Sequence, residues 1–375
     1  MRSAAESYVE SLTPWPEEFG LGRMHELLRR LGDPQLDYPS IHVVGSNGKS
    51  TTVRMAAALL RAEGLSVGAY TSPHVTGWPE RIQVDGEVSD FGVAIERVRA
   101  PAEALGATQF EVLTAAALAE FAARAADVAV VEAGLGGRLD ATNVLRSPVQ
   151  VLTNVSLEHT GVLGSTRQAI AAEKLAVAQP HSTVVLGEPE WEGLARANGA
   201  RAVVVVEQRN VALATTAAEA FLGRHVDSAF AEEVHLPGRL ERRGEEPLEV
   251  WDGAHNPGAL AYVVPRLPSR DFVVVCSVLS DKDVEAMLAA LATAGSSFVA
   301  TSSANPRALP AGDLAARAAR FFESVEAADD PLEALDRARQ LAGPAGAVFV
   351  TGSLYLLSDL TQRGKDVRWA RLASG

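Results

Sequence analysis

The sequence is poor in cysteine and in positive charge. Cys276 is its single cysteine, which excludes an internal disulfide framework and a zinc site built from several cysteines. Lys and Arg together number 34 against 47 Asp and Glu, which gives a net charge of -13. Nucleic acid is therefore not expected as the main ligand, because phosphate backbones are bound by clustered basic charge. A few local cations and helix N-termini can still hold the phosphates of a small ligand.

Long apolar runs are also missing. No apolar stretch is long enough to cross a bilayer without an interrupting charge or glycine. The first residues carry no apolar segment of the kind that a secretory signal needs. We therefore expect a cytoplasmic protein with no membrane partner. The length of 375 residues, with 47% hydrophobic and 22% charged residues, indicates a globular protein of two domains.

From Ser40 to about residue 189, short β-branched segments alternate with longer alanine-rich segments. Apolar strands separated by helices are typical of a parallel sheet covered on both faces. The expected strands are 41–44, 67–70, 128–131 and 149–153, and the expected helices are 51–62 and 110–125.

A second alternating set begins after Pro237 and Gly238. Its expected strands are 248–251, 272–276, 297–300 and 347–350, with a helix at 284–294. The sequence therefore predicts an α/β protein, in which an N-terminal P-loop mononucleotide-binding domain with a mostly parallel sheet precedes a smaller, Rossmann-like C-terminal domain. We place these domains at residues 1–233 and 234–375.

The segment Gly45-Ser46-Asn47-Gly48-Lys49-Ser50-Thr51 lies between an expected strand and an expected helix. Glycine lets the backbone curl, so that several N–H groups converge on phosphate oxygens. Lys49 supplies charge for the outer phosphates of ATP, and the hydroxyl of Ser50 or Thr51 can meet Mg²⁺. The first glycine lies closer to Gly48 than in the general P-loop pattern. A simple strand-to-helix turn is the alternative, which the Lys-Ser-Thr continuation disfavours.

Polar residues stand at the ends of several expected strands. Glu132 ends a buried strand, where a carboxylate needs a cation or hydrogen-bond donors. A structural salt bridge is one interpretation, but ligands of α/β sheets bind at this edge, which favours Mg²⁺. Ser72 and His159 follow strands of their own and can reach the same edge. Lys174, in an expected helix at 169–178, would simply pair with a carboxylate on its own helix face.

A series of longer motifs runs through both expected domains. GSNGK at 45–49 is followed by YTSPH at 70–74, ERI at 80–82, FEVLTA at 110–115 and VEAGLGGRLDATN at 131–143. Further motifs lie at 157–160, 173–174, 236–241, 252–257, 281–283 and 351–354. In this order they resemble the motifs of the folylpolyglutamate synthase/dihydrofolate synthase family of the Mur ligase superfamily.

The resemblance implies an ATP-dependent ligase that joins glutamate to a folate-type carboxylate through an acyl phosphate. It implies ATP and Mg²⁺ as cofactors, with a C-terminal glutamate-ligase domain, and we expect a monomer. Lys49, His159 and a carbamylated Lys174 are implied as catalytic residues. Ser72, Glu132 and His159 are implied as Mg²⁺ ligands, although histidine is an unusual ligand for so hard a cation.

The resemblance also implies two sets of substrate-binding residues. Those that contact ATP beyond the phosphate loop are Asn210, Arg239, Asp252 and His255. Those that line the site of the pterin or other acyl substrate are Thr108, Gln109, Phe110, Glu111, Leu139, Asp140 and Ala141.

One stretch departs from the family pattern. Family members carry a longer segment with small strands where this chain has residues 190–208, of which only 202–206 are strand-like. Two alternatives therefore stay open beside the folate ligase. One is a Mur-superfamily ligase that acts on a non-folate carboxylate, and the other is a nucleotide-binding module without ligase activity.

Overall fold

The computed structural model describes residues 3–16, 18–268 and 271–373. The chain divides into two compact units. Unit 1 comprises Met1–Pro73 and Trp78–Val234, and unit 2 comprises His74–Gly77 and His235–Gly375. Among the described helices, none combines the length and the apolar character that a membrane crossing requires.

Unit 1 is built on an eight-stranded sheet with the strand order β4-β3-β2-β5-β1-β6-β7-β8. All neighbours from β2 to β8 pair in parallel, whereas β3 and β4 form an antiparallel extension at one edge. The strands are β1 Ser40–Val44, β2 Val67–Tyr70, β3 Ile82–Val84, β4 Glu87–Val88, β5 Val128–Glu132, β6 Val149–Leu152, β7 Thr183–Leu186 and β8 Ala202–Val205.

Helices cover both faces of this sheet. The helices are α1 Ala4–Ser11, α2 Gly22–Arg30, α3 Lys49–Ala62, α4 Phe91–Leu105, α5 Gln109–Ala123, α6 Thr160–Leu163, α7 Arg167–Leu175, α8 Glu192–Ala197, α9 Asn210–Leu222 and α10 Ala229–Glu232. Side chains alternate along a strand, so Ile41 and Val43 of β1 pack with Leu59 of α3 and Leu213 of α9 in one apolar cluster. The intervening residues of β1 face the other side.

Unit 2 contains a six-stranded sheet with the order β13-β12-β11-β14-β10-β9, in which only β9 is antiparallel among the described strands. The strands are β9 Glu241–Glu245, β10 Leu248–Trp251, β11 Phe272–Cys276, β12 Ser297–Ala300, β13 Ser324–Ala327 and β14 Ala347–Thr351. The helices are α11 Pro257–Val263, α12 Val284–Leu291, α13 Ala311–Ala318, α14 Pro331–Ala342 and α15 Leu354–Ala373.

The short segment His74–Gly77 is part of unit 2, although the chain before and after it belongs to unit 1. Its Val75 is buried in an apolar cluster with Trp251, Leu354 and Leu357. The segment therefore supplies a side chain to the core of a unit whose remaining residues come much later in the sequence.

The expected α/β class with two mainly parallel sheets is confirmed. Residues 190–208 contain more structure than the sequence indicated. A 3-10 helix at Pro189–Trp191 leads into α8, and the strand-like residues form β8 at the sheet edge.

Candidate functional site

The candidate site of unit 1 lies where four neighbouring strands end. The strands β2, β5, β1 and β6 are adjacent and parallel, so the segments that follow them meet at one edge of the sheet. These segments carry the phosphate loop Gly45–Thr51, Ser72, Glu132 and the stretch Thr153–His159.

Two glycines shape the loop between β1 and α3. Gly48 has φ of 81°, and a Cβ placed there would lie 2.5 Å from Oδ1 of Asn210. Gly45 has φ of 147°, and a Cβ placed there would overlap the hydroxyl of Thr153. Side chains other than hydrogen are therefore excluded by close neighbours as well as by the backbone conformation. The approach of Asn210 to Gly48 places this residue beside the phosphate loop.

The stretch after β6 holds the loop in shape. The backbone N–H of Ser46 donates to the carbonyl of Asn154 at 2.9 Å, and the N–H of Asn47 donates to Oδ1 of Asn154 at 3.0 Å. The hydroxyl of Thr153 donates to the carbonyl of Asn47 at 2.7 Å, and the N–H of Ser156 donates to Oγ of Ser46 at 2.9 Å. The loop is thus preorganised. These contacts were not predicted from the sequence, where their only signal is the polar run directly after an apolar strand.

Two lysine side chains meet at the carbonyl oxygen of Gly45. Nζ of Lys49 donates to this oxygen at 2.9 Å and to the carbonyl of Ser46 at 3.2 Å. Nζ of Lys174 donates to the same Gly45 oxygen at 2.9 Å and forms an ion pair with Oε1 of Glu158 at 2.8 Å. Lys174 thus comes from α7 to the phosphate loop, and its carboxylate partner lies outside its own helix. This pairing differs from the helix-face pair that was the simple alternative to a catalytic role for Lys174.

This lysine pair has an unusual electrostatic environment. Burial lowers the pKa of Lys174 from its ordinary value, and the ammonium of Lys49 adds to this effect, while Glu158 opposes it. Burial would raise the pKa of Glu158, but the charges of Lys174 and Lys49 and hydrogen bonds from Lys174 and Ser46 outweigh it and bring this pKa to about 2. Glu158 is therefore a carboxylate at neutral pH, held between two ammonium groups. No role for Glu158 was predicted from the sequence.

Glu132 and Ser72 are joined at the ends of β5 and β2. The backbone N–H of Ser72 donates to Oε2 of the buried Glu132 at 3.0 Å. On the other side, Nη2 of Arg54 on α3 donates to Oγ1 of Thr71 at 3.1 Å and to the carbonyl of Glu80. Burial lowers the pKa of Arg54 to about 10, against the opposing charges of Glu80 and Glu132. Arg54 therefore ties the residue before Ser72 to the helix of the phosphate loop.

The donor set here suits a hard cation. Mg²⁺ is typically held by one or two carboxylates, with phosphate oxygens and water completing its coordination. The carboxylate of Glu132 lies against Ser72, whose hydroxyl is a further oxygen donor. Across the described ranges, no group of three or more His, Cys, Asp and Glu side chains is arranged to hold a metal ion. His159 occupies the N-cap position of α6 with φ of 46°, next to Glu158 in sequence.

The residues expected around the acyl substrate lie at the start of α5 and in the loop after β5. The ring of Phe110 lies against Gly134, where an added Cβ would come within 2.5 Å of Cζ. The backbone N–H and hydroxyl of Thr108 donate to Oε2 of Glu111 at 2.8 and 2.7 Å, and Nε of Arg23 donates to the same oxygen at 2.8 Å. Glu111 therefore caps α5 and pairs with Arg23. The side chain of Gln109 donates to α1.

The loop after β5 is organised around Asp140. Oδ2 of Asp140 accepts the N–H of Leu135 at 2.7 Å, and Oδ1 accepts the N–H of Thr142 at 3.0 Å and its hydroxyl at 2.5 Å. Burial raises the pKa of Asp140, and these hydrogen bonds oppose the shift. Asp140 is buried, whereas the neighbouring Leu139 is half-buried. The carboxylate of Asp140 therefore holds the shape of the loop that carries Leu139 and Ala141.

Unit 2 contains a polar cluster of its own after β10. The buried carboxylate of Asp252 accepts the N–H groups of Leu240 and Ala254, each at 2.8 Å. Burial raises its pKa, against the charge of Arg239. Nη1 of Arg239 donates to the carbonyl of Gly238 at 2.9 Å, and Nδ1 of His255 lies 2.9 Å from the carbonyl of Gly253. Arg239, Asp252 and His255 thus gather around the turn after β10.

Two family models match the chain. The Mur ligase middle domain matches residues 43–238, and the Mur ligase glutamate ligase domain matches residues 238–354. Together, the two matched regions include residues of both units.

Named relatives and solved structures extend this match. The dihydrofolate synthase/folylpolyglutamate synthase of Mycobacterium tuberculosis is 34% identical over 416 residues, which covers 89% of this chain and 85% of the relative. The structure of Mycobacterium tuberculosis folylpolyglutamate synthase complexed with ADP superposes with a TM-score of 0.87 and 31% identity, and covers 96% of each chain. The bifunctional enzyme of Yersinia pestis, complexed with AMPPNP and a manganese ion, gives a TM-score of 0.85 and 30% identity over 96% of this chain and 97% of that one.

Proposed function

The chain belongs to the dihydrofolate synthase/folylpolyglutamate synthase family of Mur ligases, and from this premise we propose that it joins L-glutamate to a folate-type carboxylate with consumption of ATP. The acyl substrate is dihydropteroate, a tetrahydrofolate polyglutamate or both, and the products include ADP and phosphate. One observation carries the proposal from the geometry. The ammonium group of Lys49 lies at the mouth of a parallel sheet, in a loop that Asn154 holds in shape, which suits a transferring phosphoryl group.

The reaction requires activation of a carboxylate, since an amine does not displace oxide from it. Transfer of the γ-phosphoryl group of ATP to the substrate carboxylate gives an acyl phosphate and ADP. The α-amine of glutamate then attacks the acyl carbon, the tetrahedral intermediate expels phosphate, and the amine loses a proton as the amide forms. Lys49 neutralises phosphoryl charge in the first step, and the braced loop Gly45–Thr51 fixes the direction of transfer through its backbone N–H groups.

ATP and a divalent cation are the cofactors of this reaction. We assign Ser72, Glu132 and His159 as the residues that hold Mg²⁺, a set supported by the contact between Ser72 and the Glu132 carboxylate. When bound, the cation supplies positive charge to the phosphoryl oxygens. Either hydroxyl after Lys49, that of Ser50 or that of Thr51, serves as a further oxygen donor.

We assign Lys174 as a carbamylated residue in the active enzyme. The ammonium group of Lys174 first loses one proton. The neutral amine then adds to CO₂ and releases a second proton, so that the cation becomes a carbamate anion. Burial and Lys49 favour the neutral amine that this addition needs, and the carbamate would have to part from Glu158. Intact mass or a ¹³CO₂ NMR signal tests the assignment. Lys174→Arg keeps the charge but cannot form the adduct, so the signal must vanish in this variant. Absence of the signal from active wild-type enzyme would contradict it.

We propose the remaining substrate contacts domain by domain. Residues 1–233 form the ATP-binding domain, with the acyl substrate at Thr108–Glu111 and Leu139–Ala141. Residues 234–375 form the glutamate-ligase domain. The residues that contact the nucleotide outside the phosphate loop are Asn210, Arg239, Asp252 and His255. We also propose a cytoplasmic monomer that binds small molecules and no nucleic acid; light scattering tests the monomeric state.

Phosphate release from ATP tests the proposed function. The purified chain is incubated with dihydropteroate, tetrahydrofolate or a series of other carboxylates, each with and without glutamate. Glutamate-dependent release with a pterin carboxylate is the expected result, and its restriction to a non-folate carboxylate would favour another Mur-type ligase. No release with any carboxylate would favour a binding module. Lys49→Ala must lower kcat by orders of magnitude with unchanged thermal unfolding. Near-normal turnover would show that Gly45–Thr51 is not the loop that binds the phosphates of ATP.

A further inference from the structure

One face of strand β1 is apolar, whereas the opposite face carries two polar residues beside Val44, which is unusual for a strand buried on both sides. Ile41 and Val43 lie in the apolar cluster with α3. Ser40 and His42 are buried as well, but each contacts the segment that continues from the loop after β5. Oγ of Ser40 lies 2.7 Å from Oγ of Ser147, and Nε2 of His42 lies 2.7 Å from Oγ1 of Thr142. The strand that leads into the phosphate loop therefore also contacts the segment 140–147.

The contact of His42 continues into a directed chain of hydrogen bonds. The hydroxyl proton of Thr142 is donated to the carboxylate of Asp140, so the oxygen of Thr142 acts as an acceptor toward His42. A hydroxyl has one proton to donate and accepts through its lone pairs, and His42 must therefore present an Nε2–H group. Burial lowers the pKa of His42 to about 4, so the ring is neutral, and the hydrogen bond to Thr142 places its single proton on Nε2.

Asp140 is the centre of the acyl-substrate loop, since it gathers the backbone N–H groups of Leu135 and Thr142. We propose that His42 is a positioning residue for the acyl substrate, which acts through Thr142 and Asp140 to fix residues 139–141. This proposal rests on the proposed function for the identity of that substrate. The phosphate loop is braced separately by Asn154 and its neighbours, so removal of the His42 donor should affect the acyl substrate and spare ATP.

Two amide variants separate the donor from the bulk of the ring. In His42→Gln the side-chain amide nitrogen takes the place of Nε2 and can donate to Thr142. In His42→Asn the amide nitrogen falls near the position of Nδ1 and cannot reach Thr142. For His42→Asn we expect the KM for dihydropteroate to rise about tenfold, as for loss of one buried hydrogen bond, with the KM for ATP within about twofold of wild type. His42→Gln should remain within about threefold of wild type for both substrates.

The comparison of the two variants decides the proposal. If Gln and Asn have the same effect, or if both KM values rise together, His42 is a general packing residue and the proposal is wrong. Both variants are first checked for wild-type thermal unfolding near neutral pH. If neither folds, Thr142→Val, which keeps the shape and removes the hydroxyl, must give the same selective rise in the KM for dihydropteroate.

The proposed function and the hydrogen bonds from His42 through Thr142 to Asp140 can be tested separately. Wild-type enzyme that is inactive with every pterin carboxylate would overturn the proposed function and the substrate named here. The hydrogen bonds themselves are tested on ¹⁵N-histidine-labelled protein, where the resonance lost in His42→Gln identifies His42. We expect a proton on Nε2 in wild type and a changed Nε2 signal in Thr142→Val. A proton on Nδ1 would exclude donation to Thr142, whatever the catalytic result.

Discussion

Nζ of Lys174 lies 2.8 Å from Oε1 of Glu158, and both side chains are largely buried. Removing one partner of a buried ion pair leaves the other charge without compensation. For enzyme in which Lys174 is not carbamylated, we therefore expect Glu158→Gln to lower the free energy of unfolding by about 3 kcal/mol. Urea unfolding at neutral pH measures this loss.

The double variant Lys174→Met/Glu158→Gln is the control for the pair. Because it removes both charges, its unfolding free energy should lie above the value expected from adding the two single losses. Strict additivity would mean that Lys174 and Glu158 do not stabilise each other, and that the destabilisation arises from packing alone.

Gly48 and Gly64 provide a matched pair for the phosphate loop. Both have positive φ, of 81° and 89°, but an added Cβ at Gly64 meets no atom within 4 Å, whereas one at Gly48 approaches Asn210. Gly64→Ala should cost only backbone strain, about 1 kcal/mol in stability, with normal ATP affinity. Gly48→Ala should in addition lower ATP affinity by more than about tenfold, because the loop or the Asn210 side chain must shift. Calorimetric titration with ATP compares the two, and equal affinities would contradict the close approach of Asn210.

Arg54 links the helix of the phosphate loop to the residue before Ser72. Without its donors to Thr71, the Ser72 turn loses one of its anchors, and outer contacts of this kind commonly change metal affinity. For Arg54→Met we expect the Mg²⁺ concentration at half-maximal activity to rise by about tenfold. The half-buried Arg99, which pairs with Glu103 on α4, serves as control in Arg99→Met. An unchanged Mg²⁺ requirement in Arg54→Met would show that Thr71 and Ser72 hold their positions without it.

The neutral His42 should make stability depend on pH. Its pKa is about 4 in the folded chain and about 6.5 when unfolded, so the unfolded chain binds more protons between these values. Stability from this residue is therefore complete above pH 6.5 and is lost as pH falls toward 4, by about 3 kcal/mol in all. Comparing the unfolding free energies of wild type and His42→Gln across this pH range isolates the contribution of His42, since the carboxylates contribute to the pH dependence of both proteins. Parallel pH curves would contradict a buried neutral His42.

Much of the fold follows from runs of apolar residues. The strands β2, β10, β11 and β12 are found at the bounds expected from the sequence, because strands buried on both faces are mainly apolar. The strand β9 was missed because it lies at a sheet edge and its exposed sequence ERRGE has no apolar pattern. The strand β13 was missed for the same reason.

For the site as well, the sequence predicts the features that depend on local conformation but not those that depend on tertiary contacts. Glycine and lysine in a strand-to-helix turn predicted the phosphate loop, because that conformation and charge are local properties. Glu158 could not be recognised as the partner of Lys174, since the two come from separate segments that only the sheet brings together. His42 was unrecognised for the same reason, because its partner Thr142 is a hundred residues away. Contacts of this kind require the strand order, which the apolar pattern does not contain.

The segment His74–Gly77 has a consequence for how the gene can be divided. A fragment that begins at His235 would lack Val75 and would leave the apolar surface around Trp251 and Leu354 open to water. During synthesis on the ribosome, residues 74–77 emerge long before the unit that they complete, so the core of unit 2 closes only when the late part of the chain returns to an early one. Residues 235–375 are therefore not a complete structural unit. To exchange unit 2 between relatives, residues 74–77 have to be exchanged together with it.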